Sequence, residues 1–168
     1  MSRRCSDAIR IKEFTPEGLV DAIRAAGFTV VPFVSEQPMP TVPAAAEALG
    51  VAETAILKTL LFQDKGGNRV RVIASGPDRI DRKRIAELAG IGNPSMAPAD
   101  VVLDVTGWPV GGVAPVGCRE SVPTLIDERI LAFDRVFGGG GTELTLIGLV
   151  PSDIVEITGG RLVNLHAG

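Results

Sequence analysis

The stretch "AETAILKTLLFQ", residues 52–63, sets one lysine inside an apolar run. Its aliphatic and β-branched side chains, free of glycine and proline, read as a β-strand. Alternation then sends Ile56, Lys58, Leu60 and Phe62 to one face and Leu57, Thr59 and Leu61 to the other. Neither face is polar enough to be solvated in the ordinary way. The ammonium of Lys58 therefore either snorkels out at a sheet edge or projects toward a cavity where an anion meets it. A phosphate or a carboxylate would suit such a lysine, and the neighbouring Thr59 adds a hydroxyl.

A second candidate is "GWPVGGVAPVG", residues 107–117. Gly111, Gly112 and Gly117 let the chain bend and expose N–H groups, while Pro109 and Pro115 limit its flexing. Donors already in place suit an anion or a developing oxyanion, with Val113 and Ala114 completing the bend; a plain surface loop is the alternative. "GGGGT", residues 138–142, lacks the lysine of a phosphate loop and leads into a strand. A hairpin connection needing positive φ explains it, or else close approach of a substrate to bare backbone near Gly141. Cys118 has no histidine nearby in sequence to activate it. "RIDRKR", residues 79–84, is a basic cluster at a helix start, either a solvated face or a phosphate-facing patch. Asp100 and Asp104 read as like charges on a solvated helix face.

The elements that must position these residues are legible from caps and breakers. Thr15, Pro16 and Gly27 bracket a helix, and "TVPAAAEALG", residues 41–50, forms another ended by Gly50. "FTVVPFV" is a strand that Pro32 assigns to an edge. The Lys58 strand turns at Gly66–Asn68 and returns as "RVRVIAS". Helices follow over 81–90 and 97–107, then strands at Val122–Ile126 and Phe133–Phe137 with a helical turn between them. "ELTLIGL", a helix at "PSDIVEI" and a strand at "RLVNL" complete the order. Hairpins mixed with short helices favour a mixed, mainly antiparallel sheet, open or rolled into a barrel, with helices packed around it.

Composition excludes several classes. With 168 residues, 45% hydrophobic and 22% charged, the chain reads as one globular domain. No apolar run approaches the ~20 residues of a membrane helix, and the N-terminus lacks an export signal, so a cytoplasmic location and no membrane partner are expected. Two cysteines, Cys5 and Cys118, have neither disulfide-framework nor metal-ligand spacing. The single histidine, His166, is read as a frayed tail residue, so no Ser-His-Asp triad or histidine metal site is expected. A net charge of −3 argues against broad duplex binding but allows a small basic pocket gripping one strand end.

Taken in order, these segments resemble the YbaK family of prolyl-tRNA synthetase-associated editing domains, its ProX-type deacylases above all. The resemblance covers about residues 15–160 and rests on "AAEALGV" before "ILKTLLF", on "VIASGPDRIDRKRIAELAG", "MAPADVVLDVTGWPVGGVAPVG" and "VPTLIDERILAFDRVFGGGGT", and on "LVPSDIVEITGG". It implies a barrel-like mixed α/β (α+β) fold in one domain. It also implies a free-standing deacylase that hydrolyses the ester of mischarged tRNA, with tRNA(Pro) carrying a small amino acid such as Ala, Cys or Ser as the expected substrate, and with no cofactor and no metal. Lys58 would be the catalytic lysine facing the substrate. Thr59, Gly111 through Pro115, Gly117 and Gly141 would bind the aminoacyl end. A water or a substrate group would supply the nucleophile, and a prolyl-tRNA synthetase or an elongation factor would be the handover partner. By this resemblance Phe33 and Gly139 stand where the Cys-deacylase branch carries tyrosine and serine, and Cys118 occupies a position that is commonly histidine or glutamine. A binding module that retains the pocket for an amino-acid, nucleotide or protein ligand is the alternative.

Overall fold

A computed structural model describes residues 7–166; Cys5 lies outside them. The helices form where the caps place them. Thr15 accepts from the Gly18 amide at the head of α1 (Pro16–Ala25), and Thr41 does the same for Ala44 in α2 (Val42–Leu49). Asp81 caps α3 (Arg82–Ala89), and left-handed glycines end α2, α3, α4 (Ala99–Thr106) and α5 (Pro151–Thr158). Each helix buries one face; in α1 this is Leu19, Ala22 and Ile23.

The strands form two sheets. The larger one has the order β4 (Ser95–Met96), β2 (Leu57–Gln63), β3 (Arg69–Ser75), β5 (Thr124–Asp127), β8 (Arg161–Val163). Its β2–β3 hairpin and β2–β4 pair are antiparallel, whereas β3–β5 and β5–β8 are parallel. The smaller sheet is antiparallel, with β7 (Thr145–Leu149) between β1 (Val31–Val34) and β6 (Val136–Gly139). Pro32 thus lies on an edge strand, as the sequence requires. Among the described residues a single bridge, Ile56 to Phe137, joins the sheets, and they do not close into a barrel. The fold is mixed α/β, with its main core between α1, α5, the sheets and the buried Trp108. A second apolar cluster seats α3 on the opposite face of β2 and β3, around Phe62, Val72 and Ile85.

Two features escape the sequence reading. A short 3-10 turn, Glu53–Ala55, precedes β2, and β4 is only two residues long. His166 is not frayed: its Nε2 lies 3.0 Å from Oδ2 of the fully buried Asp127 and 2.6 Å from a guanidinium nitrogen of Arg129. Burial alone would raise the Asp127 carboxyl. Hydrogen bonds from Arg129, the Ser75 amide and His166 outweigh it and hold the group below the usual carboxylate range.

Candidate active site

The site grows out of the exposed edge of β2. The Ile56 carbonyl accepts from Gly76, so even-numbered residues of β2 direct their backbone groups toward β3. Odd-numbered residues therefore face the other side, where the Leu61 carbonyl accepts from Ala97 at 2.8 Å. The next odd residue, Thr59, meets no strand there, because the chain leaves β4 and enters α4 at Ala99. A cavity of about 240 Å³ opens at this gap. Its walls include Met39, Thr41 and Ala45 before and within α2, Ile56 before β2, Leu57 to Leu61 of β2, and Ala97 and Val102. Val110, Gly111, Val113 and Gly139 complete them.

Lys58 and Thr59 flank this opening from opposite faces. Lys58 shares its face with Leu60 and Phe62, the α3 side, and its Nζ donates to the Asp78 carbonyl at 2.5 Å. Burial lowers its pKa from the ordinary lysine value, and the nearby Asp78 charge partly offsets the drop. Thr59 lies on the other face, and its Oγ1 is a buried side-chain oxygen with no hydrogen-bond partner among the described residues. The cavity rim carries exposed apolar side chains, Met96 at 60% and Val110 at 57% exposure.

The glycine loop forms the opposite wall and is pinned from behind. Buried Trp108 donates its Nε1 to the Gly117 carbonyl, and Thr106 Oγ1 accepts from the Trp108 amide. Asp7 accepts from the amides of Gly117 and Cys118, while a bidentate bond holds the carboxylate to the buried Arg71 guanidinium. The Gly112 amide donates to Pro109, and Gly141 donates to Gly112. So the amides of Gly112, Gly117 and Gly141 are occupied by the protein itself. Gly111 and Val113 line the cavity with no such partner among the described residues. Gly112, Ala114, Pro115, Gly117 and Gly141 are buried behind the wall and shape it without lining it.

The run Gly138–Gly141 has a packing reason that differs from the expected turn geometry. Only Gly141 has a positive φ, +106°. A Cβ on Gly139 would meet the Val113 oxygen at 2.3 Å, and one on Gly138 would meet the Pro115 ring at 3.0 Å. Bare backbone here lets the 108–117 loop, rather than a substrate, approach β6. Cys118 is largely covered, and burial pushes its thiol pKa up, so it is a poor nucleophile. Asp100 and Asp104 are exposed. Among the described residues no cluster of three or more His, Cys, Asp or Glu is placed to hold a metal ion, and no helix is long and apolar enough to cross a membrane.

Asp7, Arg71, Asp78 and the α2 wall were not singled out from sequence. Asp7 stands 110 residues from the amide it holds, and no local pattern signals such a clamp.

Known proteins bear on this geometry. Over 118 residues the chain is 31% identical to YwhH of Bacillus subtilis (strain 168), covering 70% of this chain and 74% of that one. It is 26% identical over 120 residues to EbsC of Enterococcus faecalis, named as a candidate Cys-tRNA(Pro)/Cys-tRNA(Cys) deacylase, with 71% and 73% covered. A solved structure described as a candidate trans-editing enzyme for prolyl tRNA synthetase superposes with a TM-score of 0.79 at 29% identity, over 91% of this chain and 97% of that one. The model of the aminoacyl-tRNA editing domain matches residues 36–157, a span that holds Lys58, the glycine loop and every wall of the cavity, and the chain belongs to that family.

Proposed function

We propose that this chain is a trans-acting aminoacyl-tRNA deacylase whose site is the cavity at the edge of β2. The observation that carries the reading is that one small opening is lined by a half-buried lysine and by two loop residues, Gly111 and Val113, whose amides have no partner among the described residues. Lys58, on the α3 side, holds a phosphate or the terminal nucleotide by charge. The amides of Gly111 and Val113, on the other side, receive the ester carbonyl and favour the oxyanion as it forms. One well-placed donor of this kind is worth about 3–4 kcal/mol. A water oxygen adds to the carbonyl carbon, helped by the neighbouring ribose hydroxyl. Collapse of the adduct breaks the bond to the ribose oxygen, which leaves with a proton. The products are free amino acid and uncharged tRNA. A volume of about 240 Å³ suits a small aminoacyl group, and tRNA(Pro) carrying Ala, Cys or Ser is the substrate proposed. A prolyl-tRNA synthetase or an elongation factor is the proposed handover partner.

The test is a panel of mischarged tRNAs offered to wild type, Lys58→Ala and Lys58→Arg. Wild type should release at least one small amino acid well above the buffer rate, and Lys58→Ala should lose about 10²-fold or more. No release from any tRNA would favour a module that only binds. Release untouched by Lys58→Ala would keep the enzyme but overturn this site.

A further inference from the structure

The cluster Arg79, Arg82 and Lys83 has no part in the cavity, yet it lies beside its lysine. Lys58 Nζ rests on the carbonyl of Asp78, the residue immediately before Arg79. Arg82 and Lys83 open α3, the helix on the same face of β2 as Lys58. All three cations are exposed, and among the described residues no ion pair holds them. The nearby carboxylates are already committed: Asp78 to Arg129 at 3.3 Å, Asp81 to the Lys83 amide at 2.9 Å, and Glu87 to Arg84 at 3.6 Å. Cations in the first turn of a helix also oppose its dipole, so local stability does not account for them. In a chain of net charge −3 they form a basic strip that leads to Lys58.

We infer that this strip is a docking surface for the phosphodiester backbone of a single-stranded RNA end, guiding it across α3 to the cavity. The inference rests on the tRNA reading given above. It adds the path by which the strand arrives, on the α3 side rather than over the glycine loop. Unpaired, solvated cations contact phosphates without reading bases, so the strip contributes affinity and salt dependence and leaves the chemistry at the cavity alone.

The experiment compares Arg82→Glu/Lys83→Glu with a control pair, Arg10→Glu/Arg24→Glu, which makes the same charge change at exposed positions elsewhere. Binding of uncharged tRNA is measured against salt, and hydrolysis is measured on both mischarged tRNA and a minimal aminoacyl-adenosine ester. The strip variant should bind tRNA several-fold more weakly at low salt, and its log–log salt slope should shrink by about 1.4, roughly 0.7 per lost contact. Its turnover of the minimal ester should stay within about twofold of wild type, since two lost phosphate contacts touch binding only. An unchanged slope, or an equal loss in the control pair, would overturn the inference, as would an equal loss on the minimal ester. Absence of hydrolysis by wild type would instead count against the deacylase reading, and the binding arm would still decide the strip. Arg79→Gln, a milder change at a single position, should lower the salt slope by about half as much.

Discussion

Replacing Gly139 by alanine tests whether the cavity wall depends on backbone-to-backbone contact. The added Cβ would lie 2.3 Å from the Val113 carbonyl oxygen and 2.9 Å from its carbon. Carbon and carbonyl oxygen rest together at about 3.3 Å or more, so β6 or the loop must move by about 1 Å. The loop has little room to yield. Trp108 and Asp7 pin it from behind, and Gly112 sits so close to Gly141 that a Cβ there would lie 2.6 Å from backbone atoms. Overpacking of this kind costs about 1–3 kcal/mol, or roughly 2–12 °C in Tm for a chain of this size. A 1 Å displacement of Gly111 and Val113 should also lower deacylation by up to about 10²-fold. Thermal unfolding followed by circular dichroism, together with the mischarged-tRNA assay, measures both effects. Gly92→Ala is the control, because a Cβ there meets nothing within 4 Å. A Gly139→Ala protein with the melting temperature and rate of wild type would refute the packing argument.

Other substitutions probe separate parts of the account. Thr59→Val removes a buried hydroxyl that has no partner among the described residues and should raise stability by about 1 kcal/mol, measured by urea unfolding, while lowering deacylation if the hydroxyl serves the substrate. Asp7→Ala leaves the 1%-exposed Arg71 guanidinium without its carboxylate and frees two loop amides, and should cost about 3–5 kcal/mol in the same measurement. Asp127 titrates below the ordinary carboxylate range, so its stabilising effect is full above the unfolded-state pKa and is lost as pH falls through the folded one. Asp127→Asn should therefore flatten the acid limb of Tm against pH below about pH 5, and an unchanged limb would contradict this. The Lys58 pKa is lowered, so its charge is lost at a lower pH than for an ordinary lysine. The rate ratio of wild type to Lys58→Ala should shrink as pH rises toward that point, and a ratio constant up to the ordinary lysine range would contradict it.

Much of the frame is legible because it is written locally. Thr15, Thr41 and Asp81 mark helix starts through side-chain geometry a few residues long, and Gly50, Gly90 and Gly107 mark the ends through positive φ. The strand around Lys58 and its return are equally local, since one short turn sets their register. Pairings set by tertiary contact are harder to read. The parallel contacts β3–β5 and β5–β8 join segments separated by helices and loops, and β4 is too short to carry a pattern. The same holds at the site. Lys58, Thr59, Gly111 and Val113 do meet at one opening, but the Gly112 amide closes a turn onto Pro109 within the loop, and the Gly117 amide is taken by Asp7, which sequence spacing does not reveal. His166 looks loose by position and is held by a buried carboxylate 39 residues earlier.

The most direct test of the central claim is an amide NMR titration with a non-hydrolysable aminoacyl-adenosine, its ester replaced by an amide. The largest shifts are expected at Gly111 and Val113, with Lys58 and Thr59 following across the opening. Shifts that leave these four unmoved and cluster instead in the separate groove beside Ile9, Arg10 and Arg119 would contradict it.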